Sequence, residues 1–498
     1  MSSDSGTEDK ATTGYRERDA ARPSLGGGSG ELELELDAAE KDVGGHAQQA
    51  AYVVEPGYPP LLRKLDRRII PMAAFIYLLC FLDRSNIGNA KVLNEDAGHS
   101  LVQDLGLVGN QYVISLMVFL IAYTIFETPS NYMLKRMRPN RWIAIIMAVW
   151  GVLCMCIAAV KGFGALTAIR FLVGVAEAGL FPGFVYFLTF WYRPEERSVR
   201  VAVILASATL AGAFGGAIAY GVGKIDGRHG LSGWQWLMII EGAPSVFFAG
   251  FVWFLFPSFP ERATWLTPAE RDEVARRLVG VSSHGQARMT WADAKATLVD
   301  WRLYLHYLAY ICISVPFSSI SLFSPTIVAG LNYKGLQAQL FTIPPYAIAY
   351  VFTIVTAFSA DRTNSRSLHS FGGMLLGAIC FLVEAVLPDT AFKARYAMLC
   401  LATTGSFACI PPLLGWLSSN LRTTAGVGLA VALNVSFGGP GQIIGVWIYK
   451  AAESPGYVTG HSVNAAFLFF GAAIVMVLRL IYSRRNRNLP EGAVKWVL

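Results

Sequence analysis

Residues 69–89 run Ile-Ile-Pro-Met-Ala-Ala-Phe-Ile-Tyr-Leu-Leu-Cys-Phe-Leu-Asp-Arg-Ser-Asn-Ile-Gly-Asn. An apolar run of about 20 residues is what a helix needs to cross ~30 Å of hydrocarbon. Such runs recur at roughly 69–89, 110–134, 142–160, 164–189, 199–222, 236–256, 303–329, 338–360, 368–387, 395–417, 425–449 and 462–482. They predict an all-α membrane protein of twelve transmembrane helices. A hydrophilic stretch, 257–302, separates the sixth run from the seventh and divides the bundle into two six-helix halves. The expected organisation is a tail over 1–60, a first half over 61–256, a central loop over 257–302, a second half over 303–482 and a tail over 483–498.

Composition agrees with a lipid-facing surface. The chain has 498 residues, 54% hydrophobic and only 15% charged, against about 25% charged in soluble proteins. An aromatic content of 12% excludes disorder as the dominant state. A net charge of +7 does not imply nucleic-acid binding, because the basic residues sit in short runs between apolar segments instead of on one soluble face. The seven cysteines, Cys80, Cys154, Cys156, Cys312, Cys380, Cys400 and Cys409, lie inside apolar runs without CxxC spacing. They read as packing residues, and neither a metal site nor a disulfide framework is expected.

Residues 1–60 read as a disordered tail with an acidic run, Glu31 to Asp37. Residues 1–60 hold no basic stretch followed by an apolar one, so no cleavable signal peptide is expected and the first span directs insertion. Charge sets the orientation. With both termini cytoplasmic, the inner loops, flanks and central loop hold twenty-four Lys and Arg and the outer loops eight, a firm positive-inside bias. In the central loop Thr267, Pro268 and Glu270 have capping-box spacing and predict a surface helix over 267–278. Phe214-Gly215-Gly216 and Phe437-Gly438-Gly439 occupy matching places in the fifth and eleventh spans. Paired glycines there predict close helix crossings in two related halves.

No GxxxxGK[ST], HExxH or GxSxG motif occurs, so neither an ATP engine nor an enzyme is expected and no cofactor is implied. The informative residues are charges inside apolar spans: Asp83 and Arg84 in the first, Arg170 and Glu177 in the fourth. Each costs about 2.5–3.5 kcal/mol to insert. They persist either as neutralising glue, Asp83 with Arg84 or Arg170, or as the lining of a substrate and proton pathway; the second reading is favoured. Asp83 falls about 6 Å outward of its span's middle, and Arg170 about 10 Å outward of Glu177. Arg170, Gly174, Glu177 and Phe181 have 4-3-4 spacing and are expected on one helix face. A desolvated carboxylate exchanges protons near neutrality, whereas arginine stays charged and suits an organic carboxylate. Glu127, Glu241 and Glu384 are expected in structural or gating roles. Asp361, Arg362 and Arg366 close the eighth span with an acid and clustered arginines that can clamp neighbouring helices. Lys135, Arg136, Arg138 and Arg141 occupy the matching loop of the first half, without an acid.

The chain resembles the major facilitator superfamily over about residues 60–485. Leu82-Asp83-Arg84-Ser85-Asn86-Ile87-Gly88-Asn89-Ala90 and Arg170-x3-Gly174-x2-Glu177-Ala178-Gly179-x2-Pro182-Gly183 resemble the fungal allantoate permease group of anion:cation symporters. The resemblance implies alternating access and proton symport of a small carboxylate such as nicotinate, pantothenate, biotin, allantoate or tartrate. It implies proton coupling at Asp83 and Glu177, a substrate carboxylate on Arg84 or Arg170 with Asn86 nearby, and gating at Asp361 to Arg366. Phe181, Tyr310, Phe317, Tyr346 and Phe407 on the expected cavity helices could stack a ring. The expected partners are the organic anion, protons and the lipid bilayer of the plasma membrane, with the protein a monomer. A nutrient sensor and a proton-driven drug exporter are the alternatives.

Overall fold

The computed structural model describes residues 58–278, 291–333, 335–421, 424–490 and 495–498. The expected tail over 1–60 lies outside them, apart from the start of the first helix. All described regular structure is helical. The helices are α1 (Tyr58–Val92), α2 (Gln111–Arg136), α3 (Pro139–Ile157), α4 (Phe163–Glu177), α5 (Leu180–Leu188), α6 (Pro194–Gly223), α7 (Gly233–Leu255), α8 (Pro268–Leu278), α9 (Trp291–Val299), α10 (Trp301–Gly330), α11 (Leu336–Phe341), α12 (Ile343–Arg362), α13 (Arg366–Val386), α14 (Phe392–Ala408), α15 (Ile410–Ser419), α16 (Thr424–Trp447) and α17 (Val458–Arg487). Four 3-10 turns and a four-residue helix decorate the connections between spans.

Eleven described helical stretches are long and apolar enough to cross a membrane. The remaining expected span is α1, 35 residues with Asp83 and Arg84 in its apolar part. At about 1.5 Å per residue it is longer than the hydrocarbon layer, so its basic beginning, Arg63 to Arg68, projects past the apolar zone. This side is the basic end of the bundle. The surface helix expected over 267–278 is α8, with its capping box formed: Thr267 N donates to Glu270 Oε2 at 2.8 Å and Glu270 N to Thr267 Oγ1 at 3.3 Å.

One expectation fails in the fourth span. It is not continuous: α4 ends at Glu177 and α5 begins at Leu180, with Gly179 at φ +81° between them. A side chain here would strain the backbone, and a Cβ would also lie 2.6 Å from Ser130 Cβ. The tenth span breaks likewise between α14 and α15, before Pro411 and Pro412, which cannot donate to the preceding turn.

Packing repeats between the halves. Third and sixth spans of each half pair (α3 with α7, α13 with α17), as do second and fourth (α2 with α4, α12 with α14). Small residues permit close approach: a Cβ on Gly242 would lie 2.7 Å from Gly151 O, and one on Gly405 2.6 Å from Gly373 O. Between halves, α6 meets α11 and α12, and α16 meets α2. The two Phe-Gly-Gly sites sit at these crossings. Gly216 faces Gln339 O and Thr342, and Gly439 faces Thr124.

Candidate functional site

The four charges expected to act together divide between two places. Arg84 Nε donates to Glu177 Oε2 at 3.0 Å, with the Glu177 side chain fully buried. The Arg84 guanidinium lies over Tyr123 at 4.4 Å and Phe119 at 5.2 Å, so aromatic faces supplement its single carboxylate. Arg84 reaches a cavity between the halves that is also lined by Tyr77, Tyr123, Phe181, Leu205, Tyr310, Ile313, Ser314, Phe317, Ile410, Val435 and Gln442. Arg84 is the one charged side chain among these. The cavity leaves ≈ 30 Å³ for water centres, about two waters. The cavity is narrow in this structure.

Asp83 points the other way. It accepts from Trp150 Nε1 at 3.1 Å and Ser245 Oγ at 2.6 Å, between α3 and α7. It forms no ion pair with Arg84 or Arg170 among the described contacts, which removes the glue reading in that form. Glu241 is its buried acidic neighbour on α7. Asn86 also faces α7, 3.5 Å from Leu237 O, away from the cavity. Arg170 is 1% exposed and lies over Phe119 at 4.4 Å. Its Nε and Nη2 have no hydrogen-bond partner among the described residues, and it does not line the cavity. Both arginines thus lie against the Phe119 ring, and Arg170 stays within electrostatic reach of Glu177. The helix break corrects the single face expected for Arg170, Gly174, Glu177 and Phe181: Phe181 lies beyond Gly179 and turns into the cavity.

Of the expected aromatics, Phe181, Tyr310 and Phe317 line the cavity. Phe407 packs behind Phe317 at 5.3 Å and against Tyr346 at 5.9 Å. Tyr346 donates to Ile320 O at 3.0 Å. It is a packing residue one layer out. The sequence reading missed Tyr77, Tyr123 and Gln442. Tyr77 precedes Arg84 by about two helical turns, so its place on the same face was available as a signal.

At the basic end, Arg366 Nε donates to Asp361 Oδ1 at 2.8 Å and Arg366 Nη1 to Gly415 O at 3.0 Å, with Ser419 Oγ as a further partner. Asp361 and Arg366 therefore join α12 and α13 to α15; Arg362 is exposed. In the matching first-half loop, the Lys135 side chain lies outside the described residues. Arg136 lies over Tyr132 at 5.2 Å and Arg141 over Trp253 at 5.5 Å. Arg138 is held below its usual pKa chiefly by the Arg262 charge. Among the described residues that loop shows no ion pair equivalent to Asp361–Arg366. The first half is fastened instead by Arg200 gripping Asp66 at 2.6 and 2.7 Å, Arg277 on Glu196 at 2.8 Å, and Lys64 on Glu270 at 2.7 Å. Lys64 holds the Glu270 carboxyl below the usual range. These pairs were not anticipated.

Eleven membrane-length helical stretches and α1, packed around a central cavity, are the architecture of a multi-pass membrane transporter. The model of the Major Facilitator Superfamily matches residues 73–446, and the chain belongs to that superfamily. It is 58% identical over 431 residues to the MFS transporter prlL of Fungal sp. (strain NRRL 50135), covering 86% of this chain and 87% of that one. It is 30% identical over 440 residues to a proposed tartrate transporter of Agrobacterium vitis, covering 87% and 96%. A bacterial homolog of the human lysosomal transporter Spinster, inward-facing and occupied, is similar in fold, with a TM-score of 0.60 at 14% identity over 85% of this chain and 98% of that chain.

Proposed function

We propose that the chain is a proton-coupled importer of a small organic anion, of the allantoate permease kind, with Arg84 as the fixed cation and Glu177 as its titratable partner. The observation that carries this reading is the 3.0 Å Arg84–Glu177 pair at the wall of a cavity with no other charged lining. While Glu177 is ionised it neutralises Arg84. A proton on Glu177 releases the guanidinium to a substrate carboxylate, so proton and anion enter together without changing the net charge of the site. That exchange avoids the cost of an unpaired buried charge. Tyr77, Tyr123, Phe181, Tyr310 and Phe317 supply flat apolar walls, which suit a carboxylate on a ring, such as nicotinate. The relative proposed to carry tartrate supports a carboxylate substrate. Asp83, behind α1, acts on this site through helix position. The basic end faces the cytoplasm, by the positive-inside rule, and the plasma membrane is the expected location. Radiolabelled uptake of nicotinate, pantothenate, allantoate and tartrate at two pH values tests the reading. Uptake should rise with external acid and collapse with a protonophore; uptake indifferent to the proton gradient rules the mechanism out.

A further inference from the structure

The second half holds another buried acid, remote from the cavity. Glu384 lies in the last turn of α13 and His461 in the first turn of α17, both side chains fully buried. His461 Nδ1 is 3.5 Å from Glu384 Oε2 and 3.2 Å from Tyr449 Oη. Asn464 Nδ2 donates to Tyr449 Oη at 3.1 Å and to Ser319 Oγ at 3.0 Å. Ser319 belongs to α10, the helix that lines the cavity with Tyr310, Ser314 and Phe317. A polar chain thus joins three spans and the connection that follows α16, with Phe381 stacked on the imidazole at 6.0 Å. Neither Glu384 oxygen makes a hydrogen bond of ordinary geometry among the described residues, and neither does His461 Nε2.

Buried polar atoms left this way are costly in a purely structural pair. A carboxyl and an imidazole at this distance hold one proton between them, as acid and neutral imidazole or as carboxylate and imidazolium. Both arrangements are net neutral. Losing that proton leaves a carboxylate, and Arg395 is the cation placed to compensate it. Arg395 is 1% exposed and tied to Asp389 Oδ1 at 3.2 Å and to the carbonyls of Pro455 and Gly456. The other titratable groups near the pair are Cys380 on its own helix, Cys400 on α14, and Tyr449 and Tyr457 beside α17. Arg395 is the one fixed charge among them. We infer that Glu384 and His461 form a proton-binding site in the second half, linked through Tyr449, Asn464 and Ser319 to the helix that lines the cavity.

The inference deepens the proton-coupled reading, and its first test needs no transport. Infrared difference titration of the purified full chain between about pH 4 and pH 9 should show a carboxyl signal that is lost in Glu384→Gln. In His461→Phe its midpoint should move by about one pH unit or more, with His461→Gln as the substitute if the phenylalanine variant does not fold. A Glu384 signal that does not titrate, or that ignores both His461 variants, overturns the site. The second test is the pH profile of nicotinate uptake, expected to flatten at least about threefold in Glu384→Gln; an unchanged profile overturns the link to transport. If no panel anion is carried yet Glu384 titrates in concert with His461, the import reading fails and the proton site stands.

Discussion

Arg84 and Asp83 are chain neighbours that serve different faces of α1. Arg84 reaches the cavity and binds Glu177 at 3.0 Å, while Asp83 is buried against Trp150 and Ser245. Adjacent helical residues differ by about 100° in direction, so one short motif can furnish a cavity wall and a packed seam together. Any rotation of α1 that moves Arg84 must also disturb the Asp83 contacts to α3 and α7. The cavity charge and the packing of the first half are therefore mechanically joined.

The Arg84–Glu177 pair separates proton coupling from substrate binding. Glu177→Gln keeps the side-chain shape and removes titration. It is expected to retain substrate counterflow while net accumulation against a gradient falls at least about tenfold. Arg84→Gln removes the cavity cation and leaves Glu177 buried without its partner, a loss of about 3–5 kcal/mol for a buried charge. Both binding and folded yield should suffer, so surface expression is measured beside counterflow. Arg170→Gln is the contrast: Arg170 does not line the cavity, and substrate affinity should stay within about threefold in correctly folded protein. Wild-type accumulation by Glu177→Gln would remove that residue from the coupling step.

The clamp at the basic end predicts a graded pair of effects. Asp361→Asn weakens one ion pair, which is partly exposed at 21%, so stability should change by less than about 1 kcal/mol. Turnover should slow several-fold with little change in binding affinity. Arg366→Gln also loses the contacts to Gly415 and Ser419, and its effect on turnover should be the larger. Equal losses of affinity in both variants would place these residues at the site instead of at the gate.

The glycine crossings predict steric blocks. A Cβ at Gly216 would meet Thr342 Oγ1 and lie 2.6 Å from Gln339 O, whereas one at Gly439 would meet only the Thr124 side chain, at its Oγ1 and, 3.0 Å away, its Cγ2. Backbone cannot yield as a flexible side chain does, so Gly216→Ala should impair closure more than Gly439→Ala. Cysteine crosslinking across α6 and α11 reads the closed state. Gly216→Ala should lower the crosslinked fraction at least about twofold, and an unchanged fraction would show that the crossing tolerates a methyl group.

The spans were legible because apolar length depends on composition alone, and residues such as Ile69 to Leu82 announce it locally. The capping box at Thr267 and Glu270 was legible for the same reason. The break at Gly179 was not, since its local sequence continues an apolar helix and its need for glycine comes from Ser130 on another span. The pairing of Arg84 with Glu177 was open among several partners, because spacing within a helix does not fix which helix faces it. Asp66 and Arg200 are 134 positions apart, and nothing near either residue names the other.

The segment Lys495–Leu498 gives the last prediction. Asn420 grips the Val497 backbone twice, Nδ2 donating to Val497 O at 3.0 Å and Oδ1 accepting from Val497 N at 2.8 Å. Asn486 does the same to Trp496, at 2.8 and 2.7 Å. Trp416 Nε1 donates to Val497 O at 2.7 Å, and the Trp496 ring stacks on Tyr482 at 5.5 Å beneath the Arg302 guanidinium. The segment thus straps together the ends of α10, α15 and α17. Trp496→Ala should cost about 3 kcal/mol, as for other buried tryptophans, and lower the apparent Tm of the purified protein. Asn420→Ala and Asn486→Ala each leave two backbone groups without their side-chain partner, at about 1 kcal/mol per hydrogen bond. Because both asparagines hold one short segment, the double variant should lose less than the sum of the singles. Strict additivity would mean that the two grips act independently and that the segment is not a single strap.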